Sequence, residues 1–161
     1  MASGTAFGAS TRAEYVAQAD PICQAAGTPA RQAFGAFFAA VKHKKGGANA
    51  LNHPKVVSHQ VRIPAARLYR RLAGIYTAMN AQIAAIAPAP EDAARVSAWL
   101  SLRGTVAADL GALAASLKHN HLHVFDQVTL KTQADTTQAN NSVRDFGFQF
   151  CTPPGTSTIA I

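Results

Sequence analysis

Apolar positions recur every three or four residues over most of the chain, which is the period of an amphipathic α-helix. The most regular stripe comprises Val61, Ala65, Leu68, Leu72, Ile75, Met79, Ile83 and Ile86. A second stripe comprises Val96, Leu100, Ala107, Leu110, Ala114 and Leu117. Acidic residues favour a helix N-terminus, so Glu91 and Asp92, just after Pro88 and Pro90, predict the start of this second helix. We expect it to end near Asn120.

Two less regular helices flank this pair. The last is predicted from Leu122, and its stripe comprises Leu122, Phe125, Val128, Thr132, Ala139, Val143, Phe146 and Phe150. The first has one apolar face over residues 15–23 and another over residues 34–41. Gly27, Thr28 and Pro29 separate these faces, and because proline disrupts a helix interior we expect this helix to be kinked or split near Pro29.

The connections between these helices are short. They are a glycine-rich linker at residues 46–52, a Pro-Ala-Pro corner at residues 88–90 and a turn at residues 119–121. Short connections make sequential helices antiparallel neighbours, so the sequence predicts an all-α fold, an up-down-up-down four-helix bundle. A chain of 161 residues has the size of one domain. We assign residues 11–151 to it and expect flexible tails at residues 1–10 and 152–161.

The chain has two cysteines, Cys23 and Cys151. An even, widely separated pair predicts one disulfide. Independently, an up-down-up-down bundle brings the start of its first helix and the end of its last to the same end, where these two cysteines would meet. Two buried free thiols in a reducing cytosol are the alternative. Because disulfides persist in oxidising compartments, we expect a secreted or extracytoplasmic protein. Residues 1–10 carry no signal peptide, and no apolar run reaches the roughly 20 residues that span a bilayer.

Short motifs surround the two cysteines. Residues 13–23 read AEYVAQADPIC, residues 145–151 read DFGFQFC, and a proline corner at Pro88 and Pro90 precedes a helix with Trp99. The chain thereby resembles small exported helical proteins and lipoproteins of high-GC Gram-positive bacteria, which carry a Y-x-x-x-A-x-x-I-C start and a G-[LF]-x-x-C end. The resemblance covers residues 11–151 and implies an exported bundle with a terminal disulfide. It implies no activity, and residues 1–10 show neither the signal sequence nor the lipid-acceptor cysteine that such proteins carry.

The net charge is +7, and its distribution is uneven. No acidic residue lies between Asp20 and Glu91, whereas nine basic residues do. The candidate anion-binding residues are Lys42, Lys44, Lys45, Arg62, Arg67, Arg70 and Arg71. A one-sided positive field attracts anions, so an anionic cell-wall polymer, a lipid surface or an acidic protein is the expected partner. Nucleic acid is disfavoured because few aromatic residues are interleaved with the basic ones. A solvated basic loop that only improves solubility is the alternative.

Six histidines form two groups, His43, His53 and His59, and then His119, His121 and His123. If residues 119–126 were one helix, then His119, His123 and Asp126 would share a stripe that can hold zinc or copper. Imidazole also ligates haem. The bundle topology brings the two groups to the same end, which makes all of these residues candidate metal ligands. Solvated histidines at helix ends are the alternative, because residues 119–121 are predicted to form a turn.

Catalytic signatures are weak in this chain. Only two glutamates are present, no Ser-His-Asp arrangement stands out, and a disulfide would remove Cys23 as a nucleophile. Tyr15 and Trp99 lie on apolar stripes, so we expect them in the core. The sequence therefore predicts a non-enzymatic exported protein of the cell envelope, without a cofactor, that binds or assembles through its basic first hairpin. A metal- or haem-binding bundle and a self-assembling structural protein remain the alternatives.

Overall fold

The structure, a computed structural model, describes residues 11–44 and 58–152. Its four helices are α1 (Arg12–Val41), α2 (His59–Ala84), α3 (Ala93–Lys118) and α4 (Leu122–Ser142), with short 3-10 turns at Pro90–Asp92 and Arg144–Phe146. Each helix packs mainly on its neighbour in the sequence. No strand occurs in this part of the chain, so the all-α four-helix prediction is confirmed. The predicted tails, apart from Thr152, and the candidate residues Lys45 and His53 lie outside the described residues.

Helix α1 is one continuous helix, so it is not split near Pro29, whereas a kink there stays a prediction. It begins with a capping box, in which Thr11 Oγ1 accepts from the Glu14 N–H at 3.2 Å and Glu14 Oε2 accepts from the Thr11 N–H at 3.1 Å. A proline removes only one hydrogen bond of the helix ladder. Buried residues on both sides of Pro29, among them Cys23 and Ala33, pack into the core and hold the two parts of α1 in one helix.

Helices α2 and α3 lie where the apolar stripes predict them, whereas α4 is shorter than its stripe. The stripe continues to Phe150, but α4 ends at Ser142 because Val143 leaves the helical conformation. Gly147 then adopts φ +85°, a left-handed conformation that favours glycine. Val143 and Phe146 are buried although they lie beyond α4, so the apolar spacing persists that far. Phe150 is exposed, and Phe148 is buried instead.

The core consists of two clusters stacked along the bundle. One lies at the connection end, where α1 and α3 finish and α2 and α4 begin, and it contains Phe37, Val61, Leu110 and Phe125, among others. The other lies at the disulfide end, around Tyr15, Ile83, Trp99, Val143 and Cys151. Among the described helices, none has both the length and the hydropathy needed to cross a bilayer.

The turn between α3 and α4 is a helix C-terminal motif. Asn120 adopts φ 61°, and the His121 N–H donates to the Ser116 carbonyl at 2.8 Å. From α2, the Arg62 guanidinium donates to the carbonyls of Leu117 and Lys118 at 2.7 Å and 3.2 Å. Arg62 therefore caps the C-terminus of α3 and ties the start of α2 to it.

Candidate functional site

A disulfide joins Cys23 of α1 to Cys151, which follows α4, with their Cα atoms 5.1 Å apart. Both residues are buried. The prediction that the bundle topology brings these cysteines together is confirmed. Folding therefore places the motifs at the two ends of the domain in one site.

A buried carboxylate holds the same segment without a covalent bond. Asp20 lies three residues before Cys23 in α1 and accepts the backbone N–H groups of Gln149, Phe150 and Cys151 at 2.9, 2.8 and 2.9 Å. Sequence reasoning missed this role. The available signal was the three-residue spacing of Asp20 and Cys23, which puts both side chains on one helix face.

Three aromatic rings form a column beside the disulfide. The Phe148 ring stacks between Trp99 and Phe146, with ring centroids 5.2 Å and 5.7 Å apart and interplanar angles of 20° on both sides. Tyr15 meets Phe148 edge-on at 6.4 Å. Trp99 and Tyr15 are buried, which confirms that these two residues belong to the core.

Arginines close both ends of this column. Over Phe146 lie Arg12 and Arg95, with Cζ atoms 4.6 Å and 5.0 Å from the ring centroid. Arg12 also donates to both oxygens of the buried Asp92, at 2.8 Å and 2.6 Å, and this hydrogen bonding holds the pKa of Asp92 below its usual value. Asp145 accepts from both arginines, and the hydrogen bond from Arg95 is the main cause of its lowered pKa.

The other end of the column is a buried arginine. Arg103 is 8% exposed, and its Cζ atom lies 4.8 Å from the centroid of the Trp99 ring. The guanidinium donates to Asn80 Oδ1 at 2.9 Å and to the Cys151 carbonyl at 3.1 Å. Its Nη2 lies 3.3 Å from Met79 Sδ and 3.9 Å from Cys23 Sγ.

This arginine has an unusual electrostatic environment. Burial lowers the pKa of Arg103 to about 10, and no carboxylate in the described ranges pairs with it. Sequence reasoning did not single out Arg103. The signal was its position four residues after Trp99, on the buried face of α3 rather than on the exposed one.

The basic candidates of the first hairpin separate into groups. Arg67, Arg70 and Arg71 are exposed and, at spacings of three and four residues, are neighbours on the outer face of α2. We call these three residues the arginine face. None of them forms an ion pair with any described residue.

The remaining candidates lie elsewhere. Lys42 and Lys44 are exposed just after α1, at the connection end. The arginine face begins about 12 Å along α2 from its first residue, at 1.5 Å per residue. Arg62 is half-buried and donates to the end of α3, so its guanidinium is partly occupied by a structural contact.

The candidate metal ligands do not form a metal site in the described part of the chain. His43, His59, His119, His121 and His123 are all exposed. The helical stripe of His119, His123 and Asp126 does not form, because α3 ends at Lys118 and α4 begins only at Leu122. The rings of His119 and His121 lie 6.1 Å apart, and within residues 11–44 and 58–152 no three His, Cys, Asp or Glu residues are placed to hold an ion.

The described part of the chain therefore has two sites with an uncompensated positive charge. They are the exposed arginine face and the buried Arg103 beside the disulfide. Comparisons with protein-family models, with curated proteins and with solved structures found no match.

Proposed function

We propose that this chain is a non-enzymatic, exported protein of the cell envelope that binds an anionic surface through its α1–α2 hairpin. The observation that carries the proposal is the arginine face, where Arg67, Arg70 and Arg71 are exposed side by side without an acidic partner among the described residues. The guanidinium group presents a planar fork of donors that matches phosphate and carboxylate. Three such forks on one face favour a ligand with repeated anionic groups.

Five of the eight acidic residues of the chain form contacts away from the arginine face. Asp20 accepts backbone N–H groups, and Asp92 and Asp145 pair with Arg12 and Arg95. Lys131 binds both Asp109 and Asp135, at 2.8 Å and 2.7 Å. The charge is therefore segregated, and a segregated positive field concentrates and steers anions toward one side of the molecule.

The rest of the α2 surface indicates how the contact is made. Beyond the arginine face, the next exposed positions of α2 are Gly74, Thr77, Ala78 and Ala81. None of them offers a large apolar side chain for insertion into a bilayer. Binding is therefore expected to rest on charge, and salt should weaken it because the screening length falls from about 30 Å at 0.01 M to about 3 Å at 1 M.

An extracytoplasmic location fits the covalent chemistry of the fold. The Cys23–Cys151 disulfide joins the start of α1 to the segment after α4. Such bonds form and persist in oxidising compartments. This supports export, and in the envelope the surfaces available to an arginine face are phospholipid headgroups and phosphate- or carboxylate-bearing polymers.

Co-sedimentation with vesicles tests the proposal. Vesicles of mixed phosphatidylglycerol and phosphatidylcholine should retain the protein at an ionic strength of about 10 mM and release it at about 1 M, whereas pure phosphatidylcholine should not retain it. Polyphosphate immobilised on beads serves as the probe for a polymer ligand. Retention by polyphosphate alone would identify a wall polymer rather than a membrane as the anionic surface.

A matched pair of variants separates the arginine face from net charge. Arg67→Gln/Arg71→Gln and Lys118→Gln/Arg144→Gln each remove two positive charges at exposed positions. We expect the first pair to lose most of the binding and the second to retain it. Equal losses in both pairs, or equal retention on neutral and anionic vesicles, would contradict a role for the arginine face.

A further inference from the structure

Arg103 is a buried cation whose partners are all neutral. Its donors meet the Asn80 side-chain oxygen, the Cys151 carbonyl and the sulfur atoms of Met79 and Cys23. A charge removed from water is costly unless an opposite charge or strong hydrogen bonds compensate it. In the oxidised protein, the described residues supply hydrogen-bond acceptors but no anion.

Reduction of the disulfide can place an anion beside Arg103. Cys23 Sγ lies 3.9 Å from Arg103 Nη2, and within the bond it is uncharged. Reduction by a dithiol breaks the S–S bond in two exchange steps and oxidises the dithiol to its own disulfide. The two cysteine sulfurs gain two electrons, and each ends as a thiol or a thiolate. A thiolate on Cys23 would face the guanidinium directly.

We propose that, once the disulfide is reduced, Cys23 is a thiolate held by Arg103 and is the reactive thiol of this protein, open to modification by alkylating or oxidising electrophiles. Cys151 takes up a proton and remains a neutral thiol. The thiolate is the nucleophilic form of cysteine, and a neighbouring cation stabilises it. This site lies toward the disulfide end and does not depend on the arginine face.

The charges around the two sulfurs favour this asymmetry. The Asp20 carboxylate accepts the backbone N–H of Cys151 at 2.9 Å and lies one helical turn from Cys23, so its negative charge acts on both cysteines. At Cys23 the guanidinium nitrogen of Arg103, 3.9 Å from Sγ, offsets that charge. Tyr15 and Tyr76 also face Arg103, and burial raises the pKa of Tyr15 to about 12, so its hydroxyl stays neutral. Arg31 and Cys23 line the same surface depression, so Arg31 adds a positive charge to the surroundings of Cys23.

A surface depression gives access to Cys23. Its volume is about 500 Å³, and its lining includes Pro21, Cys23, Gly27, Arg31 and Phe150 but not Cys151. The depression is therefore lined by Cys23 rather than by its partner in the disulfide. The lining and the electrostatics thus both favour Cys23.

Two single-cysteine variants test the proposal without a change at Arg103. In Cys151→Ser the remaining thiol is Cys23, and in the matched Cys23→Ser it is Cys151. The ultraviolet absorbance of the thiolate against pH, together with the rate of alkylation by iodoacetamide, gives the pKa of each thiol. We expect the pKa of Cys23 to fall below about 7.5 and that of Cys151 to lie at or above about 8.5.

Arg103→Met in the Cys151→Ser background then identifies the cation. It should raise the pKa of Cys23 by at least about one unit and slow alkylation at neutral pH by about tenfold, while Arg103→Lys should retain part of the effect. Equal pKa values for the two thiols, an ordinary pKa for Cys23, or no response to Arg103→Met would overturn the proposal. The two single-cysteine variants decide it even if Arg103→Met fails to fold.

Discussion

The carboxylate of Asp20 accepts the backbone N–H of Cys151 at 2.9 Å, while Cys23, one helical turn further along α1, forms the disulfide to the same residue. Two side chains of α1 therefore hold one segment, residues 147–151, which we call the strap. Asp20 holds it through hydrogen bonds and Cys23 through a covalent bond. The strap carries Phe148 into the stack on Trp99. The closing of the bundle thus depends on α1 as much as on the end of α4.

Replacing Asp20 with Asn should destabilise the oxidised protein by about 2 kcal/mol or more. The carboxylate accepts three backbone N–H groups, and hydrogen bonds to a charged group contribute about 1.5–3 kcal/mol each. An amide offers one acceptor oxygen and places an NH₂ group against the remaining donors. Urea denaturation without reductant measures the change, with the exposed Glu91→Gln as control. Equal midpoints for the two variants would mean that the strap is held without Asp20.

Replacing Arg103 with Met should also destabilise the protein, but a second substitution should recover much of the loss. Arg103→Met leaves the buried Cys151 carbonyl without its donor, at about 1–3 kcal/mol, and the partly buried Asn80 oxygen without its donor at a smaller cost, although it also removes a buried charge. In Arg103→Met/Asn80→Leu, only the Cys151 carbonyl remains unsatisfied. A double-mutant cycle from urea midpoints checks this. Strictly additive effects would show that Arg103 and Asn80 are not coupled.

The stability of the domain should fall in acid through Asp92 and Asp145. Hydrogen bonding to Arg12 and Arg95 holds both pKa values below the ordinary value of about 3.9, so the unfolded chain binds protons before the folded one does. This stabilisation is present above pH 5 and is lost as the pH falls through the folded pKa values. Between pH 7 and pH 2.5, the melting temperature of Arg12→Met should fall less than that of the unsubstituted protein. An unchanged acid decrease would assign the effect to other carboxyl groups.

The sequence predicts the helices correctly where the local pattern of apolar, polar and proline residues is enough to set their ends. The boundaries of α2 and α3 follow from regular stripes that end at polar or proline residues. Pro29 fails as a breaker because packing on both sides of it outweighs one lost hydrogen bond. The sequence predicts the end of α4 too late, because Phe146 keeps the helical spacing of apolar residues although it lies in a 3-10 turn after α4.

The same distinction applies to the candidate sites. The disulfide follows from topology, and the basic hairpin follows from composition. Composition does not show which arginines remain available to bind a ligand. Arg62, for example, donates to the end of α3, a contact across 55 residues of sequence. Arg103 is missed because an arginine is normally assigned to the surface, and its burial is visible only once α2, α3 and the strap meet.

One glycine-to-alanine change should have opposite effects at two positions of this chain. At Gly147, where φ is +85°, a Cβ would meet no atom within 4 Å, so the cost is that of the backbone alone, about 1–2 kcal/mol. At Gly104, an exposed residue inside α3 whose added Cβ would also meet no atom within 4 Å, alanine should stabilise the helix by about 0.5–1 kcal/mol. Thermal melting of the two variants should therefore displace the midpoint in opposite directions. An unchanged or higher midpoint for Gly147→Ala would show that this segment does not require its left-handed turn.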